Sequence, residues 1–146
     1  MIDDAIEKGA TVEEINPANE DFSQQEFYKI PPTIVSNTTD DMKIMQEEIF
    51  GPLLPVVEYD EIDEATQLIN SKDRPLGLYY FGNDKTEENN LLNKTSSGGV
   101  TVNNVISHLQ QNDLSFGGVG PSGMGRYKSF EGFKNFSNPR AYYEDV

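Results

Sequence analysis

The sequence predicts an α/β fold, with a parallel-sheet βαβαβ core that this chain leaves incomplete and a C-terminal strand. Three apolar runs, at 53–57, 78–81 and 99–102, alternate with two helical patterns. This order is typical of a parallel sheet with right-handed crossovers. The runs lack polar alternation, as expected of strands that are covered on both faces. Two amphipathic helices are too few to cover them, so part of the apolar surface requires a partner outside this chain.

The first part of the chain predicts short elements. A helix ends near Gly9, a residue suited to a helix C-terminus. The apolar face of this helix consists of Ile2, Ala5 and Ile6. A short strand follows over 11–15. Residues 30–35 are rich in β-branched side chains, but two consecutive prolines argue against an ordinary central strand, so we expect an edge or approach segment.

Two helices connect the three core strands. Asp60 is placed to cap the first helix, which Pro75 follows. Its apolar face consists of Ile62, Ala65, Leu68 and Ile69. Asp84 opens the second helix, with Leu91 and Leu92 as its apolar anchors. The spacing therefore predicts one helical crossover before the strand at 78–81 and a second one after it.

The last part of the chain predicts a helix and a strand. Three phenylalanines follow Tyr127 at helical spacing, which indicates a core-facing helix more than a cofactor site. They are Phe130, Phe133 and Phe136. The tail at 139–143 predicts a final strand that adds to a sheet edge.

The composition argues against several classes of function. The formal net charge is -14, from 25 acidic and 11 basic residues, so binding to nucleic acid or to an anionic membrane is electrostatically opposed. The chain has no cysteine and one histidine, which excludes disulfides, a cysteine nucleophile, thiolate metal sites and a histidine metal cluster. An acidic N-terminus and the lack of a membrane-length apolar run predict a soluble, cytoplasmic protein.

A candidate cofactor site lies at 46–52, where Glu48 and Phe50 stand two residues apart. In extended backbone their side chains would face the same side. A carboxylate can accept hydrogen bonds from both hydroxyls of a ribose, and an aromatic ring can pack against a nicotinamide. From residue chemistry alone, an exposed glutamate beside a core phenylalanine is the favoured alternative.

The segment 116–125 holds more glycine than a turn requires. Gly118, Gly120 and Gly123 match the G-x-G-x-x-G spacing of a dinucleotide fingerprint. That fingerprint also needs a convincing preceding strand and a helix that opens directly, whereas Pro121 interrupts this loop. We therefore reject a phosphate-binding loop and expect positive φ angles and close backbone approach to explain the glycines.

The residues after the strand at 99–102 form a candidate substrate pocket. They include Asn103, Asn104 and His108, and ligands gather at the carboxyl ends of parallel strands. A single histidine in a polar loop is more commonly a solvent-facing residue, so we expect no catalytic role for His108.

Four segments together resemble the aldehyde dehydrogenase superfamily, especially its class 3 and coniferyl aldehyde dehydrogenase branch. They are MQEEIFGPLLPV at 45–56, RPLGLY at 74–79, SGGVTVN at 97–103 and FGGVGPSGMG at 116–125. The resemblance covers essentially all of 1–146 and implies the C-terminal portion of the catalytic domain. Ser115 departs from the family, which usually has proline before Phe-Gly-Gly, and we expect this change to loosen the loop.

The resemblance also implies roles for individual residues. In this family an aldehyde adds to a cysteine thiolate, hydride passes to NAD or NADP, and water hydrolyses the thioester with a glutamate as base. By resemblance, Glu48 would bind the nicotinamide ribose and Phe50 would pack near the nicotinamide ring. Phe116 would line the substrate entrance, with the loop from Asn104 to His108 nearby.

The family's cofactor domain, base glutamate and nucleophilic cysteine lie upstream of the matched region. We therefore expect no catalytic residue here, no turnover by this chain alone, and weak or no binding of NAD(P). An unactivated serine is too weak a nucleophile to replace the cysteine. The expected partners are an aldehyde in the complete enzyme, the missing N-terminal half, and further copies of the chain. The alternatives are a non-catalytic binding or assembly module and one subunit of a split enzyme.

Overall fold

The computed structural model describes residues 1–24 and 26–146. The chain forms two compact units, Met1–Glu58 and Tyr59–Val146. Each unit combines helices with a pair of parallel strands, which confirms the predicted α/β class. Within the described ranges, every helix is too short or too polar to cross a bilayer.

The first unit is a small three-stranded sheet with two helices. Its elements are α1 (Ile2–Glu7), β1 (Thr11–Glu14), β2 (Thr33–Ser36), α2 (Lys43–Gln46) and β3 (Leu53–Pro55). The strand order is β1-β2-β3, with β1 antiparallel and β3 parallel to β2. The predicted first helix and first strand are both confirmed.

Two sequence predictions in this unit are wrong. The segment at 30–35 was expected to be an edge, yet β2 is the central strand. Both prolines precede Thr33, whose backbone N–H donates to the Pro52 carbonyl at 2.8 Å, so the ladder loses no donor. The run at 53–57 was expected to be a buried strand, but β3 is shorter and lies at the sheet edge, with Leu54 61% exposed.

A small apolar core holds this unit together. Its buried members are Ala5, Val35, Met42 and Ile44. At its border the Asp4 carboxylate accepts a hydrogen bond from the backbone N–H of Lys43 at 2.8 Å and pairs with Lys8 at 3.0 Å. The backbone bond from Lys43, followed by the bond from Lys8, lowers the pKa of Asp4. Asp4 therefore joins α1 to the start of α2, a helix that has no side-chain cap of its own.

The second unit carries the candidate site. Its elements are α3 (Ile62–Ser71), β4 (Gly77–Tyr80), α4 (Lys85–Lys94), β5 (Gly99–Val102), α5 (Ser107–Gln110) and α6 (Ser129–Asn135). β4 and β5 pair in parallel, and α3 packs against α4. The predicted alternation of helices and strands is confirmed, although the parallel strands fall into two sheets, because β3 pairs with β2.

The two long helices begin differently. Asp84 caps α4, accepting hydrogen bonds from the backbone N–H groups of Thr86 at 2.8 Å and Glu87 at 3.1 Å. The predicted cap of α3 by Asp60 is wrong, because the helix begins one residue later, after Glu61, which makes no side-chain cap bond. The bond at that end runs the other way, from the backbone N–H of Asp60 to the Glu64 carboxylate at 3.3 Å.

The end of the chain differs from its prediction. Phe130, Phe133 and Phe136 lie on or beside α6 as expected, yet they are between 62% and 96% exposed. The core-facing prediction is wrong because no part of this unit covers them. Residues 136–146 form no strand, so the predicted C-terminal strand is absent from the described residues.

Candidate functional site

Four aromatic rings lie in a row beside the β4–β5 pair, and we call them the aromatic row. They are Tyr79, His108, Phe116 and Tyr127. The centroid distances between successive rings are 6.1, 6.4 and 5.5 Å. His108 and Phe116 stack with their planes 23° apart, and Phe116 meets Tyr127 edge to face. Residues from a strand, a helix and a loop therefore build one aromatic surface.

His108 is anchored to the face of β5. Its Nδ1 lies 2.8 Å from the Thr101 hydroxyl, which also accepts the His108 backbone N–H at 3.2 Å. The ring lies over Gly99, where a Cβ would be 2.4 Å from Cδ2 of the imidazole. His108 is half-buried and belongs to α5, so its prediction as a solvent-facing loop residue is wrong.

The glycine segment is held by close backbone contacts. Phe116 and Tyr127 exchange two backbone hydrogen bonds of 2.8 Å, which bring the two ends of the segment together. A Cβ at Gly118 would lie 2.2 Å from the Ser122 carbonyl oxygen, and Gly123 and Gly125 have φ angles of 155° and 81°. Positive φ and close approach therefore explain these glycines, as predicted.

An open cavity of about 510 Å³ lies against this segment. The side chains that give it chemical character are Phe116, Met124, Arg126, Tyr127 and Asn135. Met124 is fully exposed at its border. Aromatic rings, a thioether and glycine backbone line most of this concave surface, and Arg126 and Asn135 add polar groups. Such a surface suits a flat apolar ligand with a few polar atoms.

Arg126 connects the segment to the start of β5. Its Nε donates to the Ser115 hydroxyl at 2.9 Å, and its Nη2 donates to the carbonyls of Gly98 at 2.9 Å and Ser115 at 3.1 Å. The expected loosening at Ser115 is therefore not what the structure shows, because both oxygens of this residue are held by one guanidinium.

The predicted cofactor residues lie in the first unit. Glu48 and Phe50 follow α2 in irregular backbone, and both are exposed. The argument that they face one side assumed extended backbone, but Phe50 has a φ of 43°. Its 90% exposure also contradicts the alternative of a core phenylalanine. Their role toward a cofactor stays a prediction.

Asn104 is separate from the other predicted pocket residues. Its side chain is exposed, and its amide oxygen accepts the backbone N–H of Val105 at 2.8 Å. The neighbouring Asn103 is more firmly fixed: it donates to the Gly82 carbonyl and accepts the Gly82 N–H, both at 2.9 Å. Among the pocket residues predicted from the sequence, the structure brings Phe116 and His108 together.

Comparisons with known proteins bear on what this site does. Residues 1–142 match the model described as "Aldehyde dehydrogenase family". The chain belongs to the aldehyde dehydrogenase family. A probable coniferyl aldehyde dehydrogenase of Caulobacter vibrioides is 57% identical over 145 residues, which are 99% of this chain and 30% of that relative. A coniferyl aldehyde dehydrogenase of a Pseudomonas species is 48% identical over 137 residues, 94% of this chain and 28% of the relative.

Solved structures of other aldehyde dehydrogenases agree with this assignment. Staphylococcus aureus AldH in a substrate-bound state superposes with a TM-score of 0.76 at 41% identity, over 82% of this chain and 26% of that one. A betaine aldehyde dehydrogenase variant from the same species, in complex with NAD+, superposes with a TM-score of 0.77 at 31% identity. The match covers 92% of this chain and 27% of that one. This chain thus spans less than a third of these aldehyde dehydrogenases, and the resemblance found in its four sequence segments is confirmed.

Several residues of this candidate site escaped sequence reasoning. Thr101 could have been found, because the period of two in a strand places it on the same face as Gly99. Tyr127 and Arg126 had no such signal, since an isolated bridge in a loop leaves no periodic pattern. Met124 was seen only as part of a glycine-rich motif.

Proposed function

We propose that this chain forms the C-terminal part of the catalytic domain of an NAD(P)-dependent aldehyde dehydrogenase that oxidises aldehydes to carboxylic acids. The observation that carries the proposal is the family match over residues 1–142. The geometry supports it, because the matched segment 116–125 forms the cavity and supplies Phe116 to the aromatic row. The whole enzyme is cytoplasmic in this proposal.

The substrates are aromatic aldehydes. The cavity presents Phe116, Met124 and Tyr127, which can pack against a planar ring through stacking and sulfur–aromatic contacts. Two relatives with high identity are named as coniferyl aldehyde dehydrogenases, which supports the same class.

Glu48 and Phe50 bind the nicotinamide end of the cofactor. Both side chains are exposed and free to meet a ligand. A carboxylate and a ring contact only one end of a dinucleotide, and phosphate groups require further donors that we place elsewhere in the enzyme. This chain alone therefore binds NAD(P) weakly or not at all.

The nucleophile and the base lie outside these 146 residues. The 146 residues contain no cysteine, and thioester chemistry requires a thiolate. The partner is the remaining part of the enzyme, either in one polypeptide with this chain or as the second subunit of a split enzyme. Acyl transfer needs both parts in one assembly.

A binding or assembly module is the second candidate. The observation in its favour is the α6 face, the exposed row of Phe130, Phe133 and Phe136. Exposed apolar patches of this kind mark interaction surfaces. In this alternative the chain keeps the fold and associates with other chains without taking part in oxidation.

The first experiment is isothermal titration of NAD+ into the purified chain, beside an assay of aromatic aldehyde oxidation. We expect neither heat nor turnover. The second adds a polypeptide that contains the remaining 70% of the Caulobacter relative and follows NADH formation. Turnover that needs both components supports the proposal, and a lack of turnover in a stable complex favours the assembly module.

Variants of the cofactor residues sharpen the second experiment. Glu48→Gln removes the carboxylate proposed to hold the ribose, so it raises the KM for NAD+ in the two-component assay. Glu47→Gln makes the same charge change one residue away and serves as the matched control. Equal effects of the two variants would contradict the assignment of Glu48.

A further inference from the structure

We propose that Arg126 is a positioning residue that fixes Phe116 at the border of the cavity. Arg126 and Ser115 flank the bridge between Phe116 and Tyr127, one on each strand of the bridge. Because the bridge is antiparallel, the two residues lie at opposite ends of it, and the hydrogen bonds from the Arg126 side chain to Ser115 cross the bridge diagonally. The functional consequence for aldehydes rests on the proposed function, whereas the positioning itself does not.

The guanidinium is committed to backbone and hydroxyl oxygens. Three hydrogen bonds join it to Ser115 and Gly98, and no carboxylate pairs with it among the described residues. Although the chain has 25 acidic residues, this guanidinium bonds to a hydroxyl and to backbone carbonyls, which indicates a role in holding the backbone. A planar guanidinium with several fixed donors can hold two chain segments in one geometry, which a flexible ammonium does less well.

The start of β5 provides a firm anchor for this arrangement. Gly98 is buried, and its backbone N–H donates to the Pro75 carbonyl at 3.0 Å. A Cβ at Gly98 would lie 2.4 Å from the Gly117 carbonyl oxygen, so the segment after Phe116 presses directly on this point. Arg126 thus ties Ser115, which precedes Phe116, to the residue before β5, and Gly117, which follows Phe116, lies against the same residue.

Two ring contacts depend on this position. The Phe116 ring stacks on His108 and meets Tyr127 edge to face at 5.5 Å. If the 115–117 backbone shifts, the ring leaves both neighbours and the cavity changes shape. Arg126 therefore acts on the cavity through Phe116. The residue before Phe116 is Ser115 in this chain, where the family usually has a proline.

Hydrogen exchange of single amides in the purified chain tests the proposal without aldehyde or cofactor. Arg126→Gln removes the bonds to Ser115 and Gly98. We expect exchange of the Phe116 and Tyr127 amides to become about tenfold faster. Exchange at Asn103, whose N–H bonds to the Tyr80 carbonyl at 2.7 Å, stays unchanged. Arg140→Gln makes the same charge change in the tail and is the matched control.

Two variants of Ser115 complete the test. Ser115→Ala removes one of the three bonds and gives a smaller increase at the same two amides. Ser115→Pro, added to Arg126→Gln, restores protection because proline fixes the backbone that the guanidinium held. Unchanged exchange at Phe116 and Tyr127, a uniform increase that includes Asn103, or no rescue by proline would each overturn the proposal.

The test separates this inference from the proposed function. Faster exchange at the two amides, together with no turnover in a stable two-component complex, would support the positioning role and count against the enzyme. In the two-component assay, Arg126→Gln raises the KM for aromatic aldehydes with little change in kcat, since the residue touches no reacting group. A loss in kcat alone would contradict action through Phe116.

Discussion

The imidazole of His108 stacks on the ring of Phe116, with centroids 6.4 Å apart and planes 23° apart. Eight positions separate the two residues, and α5, which carries His108, packs against β5. Thr101 fixes the imidazole from below, at 2.8 Å from Nδ1. This contact joins the sheet to the cavity. A substitution in β5 that moves the His108 ring should therefore also move the Phe116 ring.

Gly99→Ala tests that connection. The new methyl group would lie 2.4 Å from Cδ2 and 2.6 Å from Nε2 of His108, so the ring must move. We expect a loss of about 1–3 kcal/mol in the free energy of unfolding, measured by urea denaturation. His108 is the one histidine, so its ring protons report the movement directly by NMR. Gly51→Ala, whose Cβ would meet its nearest atom at 3.6 Å, is the control. Unshifted histidine signals would contradict the prediction.

Asp84→Ala tests the cap of α4. Asp84 accepts two backbone N–H groups at the helix start, so its truncation should cost about 1 kcal/mol of stability. Glu61 occupies the same position in α3 without a side-chain cap bond, and Glu61→Ala should leave stability nearly unchanged. Thermal unfolding of both variants checks the difference. Equal shifts would show that the bonds at Asp84 contribute little.

The sequence was most informative where local chemistry decides the structure. Asp84 was predicted as a cap because an acidic side chain precedes a helical pattern, and the strand at Gly99–Val102 followed from its apolar run. Asp60 shows the limit of this reasoning, because adjacent acidic residues compete for one cap and the backbone selects between them.

Predictions that required a tertiary partner were weaker. Phe133 was expected in a core because helical spacing cannot tell whether the surface that covers a helix is present in the same chain. His108 was expected in solvent because its partners, Thr101 and Phe116, come from other elements. The roles of Glu48 and Phe50 rested on resemblance, since exposed residues in irregular backbone carry no periodic signal.

Tyr80 predicts a loss of stability at alkaline pH. Its hydroxyl donates to the Glu87 carboxylate at 2.8 Å, and this bond, together with burial, raises the pKa of Tyr80 from 10.0 to about 12. The stability that this hydrogen bond contributes is fully present below the pKa of tyrosine in the unfolded chain. It is lost as the pH rises through the pKa of Tyr80 in the folded chain. The free energy of unfolding should therefore fall between pH 10 and 12.

The matched variants identify the group responsible. Tyr80→Phe removes the hydroxyl and should make this part of the pH profile shallower, whereas Tyr59→Phe, at an exposed position, should leave it as in the parent chain. Urea denaturation at a series of pH values measures both. A profile that is the same in all three proteins would contradict a role for Tyr80.

The α6 face predicts self-association of the purified chain. Phe130 and Phe133 stack at 5.9 Å and are largely exposed, so burying them against another copy is favourable. A net charge of -14 opposes this contact at low ionic strength. Because salt screens repulsion between exposed charges, association should increase with salt.

Phe133→Ser should weaken self-association in sedimentation experiments. Phe27→Ser removes an exposed phenylalanine of the first unit and should have little effect. A monomer at high concentration and high salt would contradict the prediction. The α6 face would then be a candidate contact with the remaining part of the enzyme.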